Sequence, residues 1–280
     1  MSNKMDSWRS QAKEFEPVLR TVGLFARLTF KTISFPQISE RLNIDRIKVL
    51  DAACGSGVIT FEAREICNES FDFVATDFSD AYIQTVNEKI NKEDIKNVKA
   101  EVMDATDMSS IPSDTFDYIF CQFGVMFFSE PKKFFTEAAR VLKPGGMLIV
   151  STWRHNDLAK VTKAAADLTV GSSSSTPPPK KDLLNFTDPD VLVRIATEVG
   201  LKDAISQELT PGHKCNVGEP KPLIDFFYDN PVVQKLISGM DESSKLKYKD
   251  NAMDLIQVML NEQGEVELTM IANLLTAIKP

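Results

Sequence analysis

The chain has 280 residues, 43% hydrophobic and 26% charged, the balance of an ordinary globular protein that buries its core without staples. Its formal net charge of −8, with no long run of Lys or Arg, speaks against a clamp on a phosphate backbone, so neither DNA nor RNA is expected as substrate. No apolar stretch approaches the roughly 18 residues of a bilayer span, and Met1–Trp8 has no apolar run behind its charge, so neither a membrane span nor a signal peptide is expected.

In chain order, residues 6–30 predict a helix, because Trp8, Ala12, Phe15, Leu19, Val22 and Ala26 recur at three- and four-residue steps. From 47 to 150 short apolar runs alternate with amphipathic stretches. Ile47–Leu50 predicts a buried strand, followed by a glycine turn and a helix from Gly57 to Glu65. Phe71–Thr76 predicts a second strand, and Ala81–Ile90 a helix behind a Ser79/Asp80 cap. Further strands are expected at Val98–Met103, Phe116–Cys121 and Met147–Thr152, with a helix at Pro131–Val141 stopped by Lys143-Pro-Gly-Gly146. Strand–helix alternation of this kind implies right-handed crossovers and a parallel sheet covered on both faces.

Residues 171–179, rich in Ser and Pro, read as an exposed loop. Beyond it a helix is expected at Asp188–Val199, ended by Gly200, and a strand near Ala204–Leu209. Residues 218–262 read as mainly helical, and Leu268–Ile278 as a closing strand. Cys54, Cys67, Cys121 and Cys215 form no Cys-x-x-Cys pair and no metal-ligand spacing. Free thiols in a reducing cytoplasm are therefore expected, and no metal.

The strongest chemical signal is Val49-Leu-Asp-Ala-Ala-Cys-Gly-Ser-Gly57, a strand running into a glycine turn and then a helix. Such a turn lets backbone approach a ligand closely and presents the free N–H groups of a helix start. A dinucleotide site needs Gly-x-Gly-x-x-Gly, and Thr60 stands where the third glycine belongs. Asp51 beside the turn would repel a pyrophosphate and suits a ligand with cationic groups instead.

With this motif the sequence closely resembles the class I methyltransferases, and within them the small-molecule branch that includes the ubiquinone and menaquinone methyltransferases. The similarity covers residues 47–153 well and the remainder loosely. It implies an α/β, Rossmann-like fold: a seven-stranded, mostly parallel sheet with helices on both faces and a helical cap or insert. It also implies S-adenosyl-L-methionine as cofactor, held by residues at successive strand ends. These are Asp51, Ala53, Cys54, Gly55 and Gly57 in the first turn, and Asp77 with Phe78 after the second strand, where the family holds the ribose hydroxyls. Asp104 with Ala105 follows the third strand and faces the adenine, and Gln122 with Phe123 follows the fourth, beside the methionyl portion. The Arg140-Val-Leu-Lys-Pro-Gly-Gly146 turn is a further family feature. Taken singly, Asp77 also suits a helix cap and Asp104 a turn start.

Methyl transfer needs alignment and desolvation above all, and a base only for a nucleophile that holds its proton. His155, after the fifth strand, is the candidate base, with His213 a weaker one. The acceptor is expected to be a small molecule lined by Trp8, Phe15, Met126, Phe127 and Trp153, with Phe25, Phe128, Phe226, Phe227, Tyr228 and Met240 divided between lining and core. The expected organisation is a helical cap over 1–46, a cofactor-binding core over 47–217, a helical substrate lid over 218–262 and a closing strand over 263–280. A cofactor-binding protein without turnover, an aminopropyltransferase and an NAD-dependent dehydrogenase stay open as alternatives.

Overall fold

In the computed structural model the described residues are 16–35, 46–67, 69–171 and 186–280. Contacts divide them into two compact units.

The larger unit, residues 22–35, 46–67, 69–154, 186–209 and 272–280 of those described, holds the sheet. Strands β1 (Ile47–Ala52), β2 (Phe71–Asp77), β3 (Val98–Val102), β4 (Phe116–Gln122), β5 (Leu142–Asn156), β6 (Lys202–Leu209) and β9 (Met270–Ile278) take the order β3-β2-β1-β4-β5-β9-β6. The first five run parallel. β6 and β9 pair antiparallel. Central strands read as continuous apolar runs because helices cover both faces: β4 is buried from Phe116 through Cys121. At the edge, β6 is exposed at most positions.

Helices α2 (Val58–Ile66), α3 (Asp80–Lys92), α4 (Pro131–Val141) and α6 (Pro189–Glu198) connect the strands. In α4, Pro131 opens the first turn, where its missing N–H costs nothing, and Phe134, Phe135, Ala138 and Val141 form the buried stripe. Helix α1 (Glu16–Thr32) lays Phe25 and Phe30 against the sheet. Phe30 and Phe35 meet Phe120, Tyr118 and Phe71 in edge-on pairs with centroids 5.3 to 5.7 Å apart. The helix expected over 6–30 is thus present from Glu16 and runs to Thr32; its first ten residues lie outside the described ones.

The second unit holds residues 16–21, 155–171 and 210–271. Its α5 (Asp157–Val170) and α9 (Glu242–Gln257) pack together, and α7 (Pro220–Tyr228) and α8 (Pro231–Leu236) complete its helices, with a two-stranded sheet of β7 (Cys215–Asn216) and β8 (Glu267–Leu268). Asn251 donates to Thr169 Oγ1 across the α5–α9 pair at 2.9 Å. Residues 155–171 and 210–217 thus group with the helices of 218–262, whereas the sequence boundaries assign them to the core.

One strand differs from expectation. Leu268 does not begin the closing strand; it pairs with Cys215 in the small sheet, and β9 starts at Met270. Thr269 separates the two because both its backbone groups are taken: its N–H donates to Asp157 Oδ2 at 2.7 Å and its carbonyl accepts from Asp157 N at 3.2 Å. Among the described residues no helix is long and apolar enough to cross a membrane.

Candidate active site

Strand register decides which side chains share the site. Ala52 lies beside Thr76, Asp77 beside Val102, Asp51 beside Phe120 and Gln122 beside Ser151. The residues expected to hold the cofactor therefore stand together at the carboxyl ends of β1 to β4, the end at which open α/β sheets bind ligands.

The first turn is strained and tightly tied. Ala53, Gly55 and Gly57 all have positive φ, 56°, 53° and 79°; for Ala53 this is an unusual conformation of the kind that clusters at functional sites. Cys54 N donates to Thr76 O at 2.9 Å, joining the turn to β2. A Cβ on Gly55 would meet nothing within 4 Å, so this glycine turns an open face outward. A Cβ on Gly124 would come within 2.7 Å of the Ala53 methyl and 3.1 Å of Cys121 Sγ, so the loop after β4 fits against the turn only without a side chain.

Two carboxylates flank this turn. Asp51 is 2% exposed, and its Oδ2 accepts from Thr60 N at 3.1 Å and Thr60 Oγ1 at 2.7 Å. Burial, the main influence, pushes Asp51 up to about 7, with the Thr60 donors pulling it back and Asp77 adding to the rise. Asp77, also buried, accepts from Gly55 N on Oδ2 and from Ser79 N on Oδ1, each at 2.9 Å. Burial raises its carboxyl as well, against those two amides. Cys54 between them stays a neutral thiol: burial, then both carboxylates, push it well up. Asp77 thus braces the approach to α3 through the amide of Ser79, which is itself the N-cap, so Asp77 does not cap the helix; each of its oxygens keeps a second lone pair. Ser79 Oγ, at the N-cap of α3, is buried without a partner.

Phe78 is half-buried, next to Asp77. Asp104 is exposed and closes a turn, its Oδ1 accepting from Thr106 N and Oγ1 at 2.8 Å, with Ala105 buried behind it. Met103 N donates to Asp77 O at 2.9 Å, which brings Asp104 to the same end of the sheet. Gln122 donates through Nε2 to Val22 O of α1 at 3.2 Å, and its Oε1 is buried without a partner. Phe123, with φ 56°, stacks on Trp153. Met126 is buried, its sulfur accepting from Trp153 N at 3.4 Å, and Phe127 is exposed. Trp8 and Phe15 lie outside the described residues.

His155 is in the second unit. Its Nε2 lies 2.7 Å from Asp157 Oδ1, and Lys160 Nζ is 3.2 Å from Nδ1. With the proton on Nε2 facing the carboxylate, Nδ1 accepts from the ammonium, and neither nitrogen is left free. His213 is exposed on its loop, Nδ1 lying 3.0 Å from Pro211 O.

Residues the sequence did not single out also matter. Thr60, noted only as a departure from a glycine motif, is the partner of Asp51. Tyr82 in α3 is half-buried and close enough to Asp77 and Cys54 for both to raise its hydroxyl, desolvation being the larger cause. Its place, five residues after Asp77 in the first turn of a helix, is the only sign the sequence offers. A groove of about 500 Å³ lies apart from the turn, walled by Thr106, Asp107 and Ser109 on one side and Glu130, Lys133 and Glu137 of α4's start on the other. Its lining is charged and solvent-screened, and it contains none of the turn residues. Among the described residues no cluster of three or more His, Cys, Asp or Glu could hold a metal.

A parallel sheet of this order, with an acidic strand end, a glycine turn and a second acidic strand end, has the architecture of a class I methyltransferase. The chain belongs to the family of methyltransferase domains, whose model matches residues 44–188, just over half of it. It is similar to the acetylaranotin bis-thiomethyltransferase of Aspergillus terreus, 30% identical over 157 residues, which cover 53% of this chain and 49% of that protein. It is similar also to the ubiquinone/menaquinone biosynthesis C-methyltransferase UbiE of Cronobacter sakazakii, 33% identical over 103 residues, 37% of this chain and 41% of that one. The match to these curated relatives thus spans about half of their length or less. Among solved structures it resembles the cyclase SpnF with a TM-score of 0.56 and 18% identity, over 91% of this chain and 81% of that chain; at that identity the likeness concerns the fold alone.

Proposed function

We propose that this chain is an S-adenosylmethionine-dependent methyltransferase acting on a small-molecule acceptor. The observation that carries the reading is the pair of buried carboxyls, Asp51 and Asp77, set around a glycine turn with an open face. Two carboxyls buried this close together are costly to ionise, and a ligand that brings positive charge relieves that cost. Family membership points to the same ligand.

When bound, the cofactor supplies a methyl carbon already activated on a sulfonium. The chain's own work is then placement and the exclusion of water. Asp77 offers its remaining lone pairs to a sugar diol, Gly55 allows close backbone approach, Ala105 gives an apolar wall for a base, and Gln122 Oε1 offers an acceptor to an ammonium group. The relatives' names record transfer to sulfur and to carbon, and both chemistries are compatible with a site that positions rather than deprotonates. We read His155 as a fastening at the start of α5 and not as the base, since Asp157 and Lys160 hold its ring. Residues 218–262 are proposed as the acceptor-selecting segment on the ground that their helices belong to a compact unit distinct from the sheet. The four cysteines are free, in support of a reducing compartment such as the cytoplasm.

Thermal unfolding with S-adenosylmethionine, S-adenosylhomocysteine and NAD(H), for the wild type and Asp77→Ala, tests the cofactor. Ligand at one hundred times its Kd stabilises by about 2.7 kcal/mol, a rise of roughly 5 °C or more for a chain of this size. A rise with the adenosyl ligands alone, lost in Asp77→Ala, supports the reading. A rise with NAD(H) alone overturns it in favour of a dehydrogenase. Binding of S-adenosylmethionine that never yields S-adenosylhomocysteine with any acceptor leaves a binding protein without turnover.

A further inference from the structure

Three connections of the parallel sheet carry a helix, α2 after β1, α3 after β2 and α4 after β4, but residues 103–115 join β3 to β4 without one. Asp104 and Ala105 lie in that segment, so the carboxyl end of β3 enters a loop with no regular element of its own to hold it. The loop is shaped as two turns. Asp107 N donates to Asp104 O at 2.9 Å, and Ile111 N donates to Met108 O at 2.8 Å. The first turn borders the groove of about 500 Å³ toward the start of α4, and Asp107 is exposed there.

What fixes the loop comes from the following connection. Arg140, in the last turn of α4, donates through Nη1 to Ile111 O at 2.7 Å and through Nη2 to Met108 O at 2.8 Å. Its Nε and Nη2 also grip the two oxygens of Glu137, one turn earlier in the helix, at 2.9 and 2.7 Å. Glu137 Oε2 in turn accepts from Met108 N at 3.0 Å. Met108, fully buried, is thus held at both backbone groups by one ion pair. The hydrogen bonds from Arg140 keep the Glu137 carboxyl below the ordinary glutamate range, so the pair stays charged at neutral pH. A guanidinium can serve these three acceptor groups because its donors point in fixed directions in one plane, and an ammonium has no such fork. An arginine that merely solubilised α4 would leave that fork in water. Within the first turn, Thr106 takes Asp104 Oδ1 with its amide and its hydroxyl, each at 2.8 Å, which leaves Oδ2 for a ligand.

We propose that Arg140 and Glu137 are positioning residues for recognition of the cofactor's base: by fixing Met108 and Ile111 they set the 104–107 turn, and with it the Asp104 carboxylate, where it accepts from the amino group of the base. The pair acts through Asp104 and does not itself touch the ligand. This rests on the methyltransferase reading above, on which Asp104 faces the adenine.

S-inosylhomocysteine carries a carbonyl oxygen where S-adenosylhomocysteine carries the amino group, so the ratio of the two affinities isolates this contact. In calorimetric titration of the full chain, the wild type is expected to prefer S-adenosylhomocysteine by about tenfold or more, the equivalent of one charge-assisted hydrogen bond. In Arg140→Lys, which keeps the charge and loses the fork, affinity for S-adenosylhomocysteine is expected to fall about tenfold while that for the inosine analogue holds, so the preference disappears. Asp104→Ala is expected to do the same, and the double variant to lose no more than either single one. Glu137→Gln takes the place of Arg140→Lys if the latter does not fold. A preference that survives in folded Arg140→Lys overturns the proposal, even where both affinities drop together, and so do losses that add in the double variant. A wild type that binds both ligands alike overturns it too and leaves the methyltransferase reading in place. A folded wild type that binds neither overturns that reading and the proposal together.

Discussion

Thr60 gives both of its donors to one oxygen of Asp51, the amide at 3.1 Å and the hydroxyl at 2.7 Å. Thr60 is the third residue of α2, so its amide is one of the free N–H groups of the helix start. The acidic end of β1 thereby ties itself to the helix that follows, and the Gly55–Gly57 turn is clamped between them. A glycine at position 60 serves dinucleotide enzymes by letting helix and strand approach. Here the position is occupied by the group that satisfies a buried carboxylate.

Replacing Thr60 with glycine completes a Gly-x-Gly-x-x-Gly pattern and should not create a nucleotide site. The hydroxyl donor to a buried carboxylate is lost and a flexible residue enters a helix, costs of about 1–3 and about 1 kcal/mol. Thr60→Gly is expected to lower stability by roughly 2–4 kcal/mol in urea unfolding, without gaining stabilisation by NAD(H). Stabilisation of this variant by NAD(H) would show that Asp51 does not repel a pyrophosphate.

The same carboxylate makes stability depend on pH near neutrality. Asp51 is raised from its ordinary value near 3.8 to about 7, by burial first of all. A carboxyl raised on folding favours the folded state at low pH. Its contribution is full below about 4 and is lost as pH climbs through about 7. Asp77, raised by the same cause, acts in the same direction. Between pH 6 and pH 8 Asp51 alone should remove about 1.4 kcal/mol, a fall in Tm of about 3–5 °C. Differential scanning calorimetry of the ligand-free protein checks this. Asp51→Asn should flatten the slope over that range; an unchanged slope would place its origin elsewhere.

The order of elements was legible because each rests on local signals: apolar runs for the buried strands, Pro131 and a spaced aromatic stripe for α4, Gly200 at the end of α6. Strand ends were legible too, since Asp51, Asp77 and Asp104 follow apolar runs directly. What remained hidden are pairings across the chain. The bond between Gly55 and Asp77 spans 22 residues and that between Asp157 and Thr269 spans 112. No periodicity reports such contacts, so Leu268 reads as the start of β9 and His155 as a candidate base. Trp153 and Phe123 were named separately, one for acceptor and one for cofactor, and only the structure shows them as one stack.

Gly124 is the second glycine on which the turn depends. In Gly124→Ala the new methyl would lie 2.7 Å from the Ala53 methyl and 3.1 Å from Cys121 Sγ. Neither neighbour is a flexible side-chain end, so the turn must shift. Overpacking of this kind costs typically about 1–3 kcal/mol. The stability loss should be accompanied by weaker binding of S-adenosylhomocysteine, by about tenfold or more in calorimetric titration, because Ala53 moves with its neighbours. Normal affinity in a destabilised Gly124→Ala would mean that the turn and the β4 loop adjust independently.

His155 decides whether the reaction uses a base from this part of the chain. Its ring lies between Asp157 Oδ1 at 2.7 Å and Lys160 Nζ at 3.2 Å. Asp157 has a second task, accepting from Thr269 N at 2.7 Å where β8 gives way to β9. A histidine fastened at both nitrogens must break one contact before it takes a proton, whereas a general base contributes on the order of 100-fold or more. His155→Asn is therefore expected to leave kcat within about threefold of the wild type, with no change in the acidic limb of the pH–rate profile. Asp157→Asn should instead destabilise the helical unit by about 1–3 kcal/mol, since the backbone of Thr269 loses a charged acceptor. A fall of kcat by about 100-fold in His155→Asn, with the acidic limb abolished and KM preserved, would return His155 to the role of base. It would also mean that the ring leaves Lys160 when the acceptor is bound.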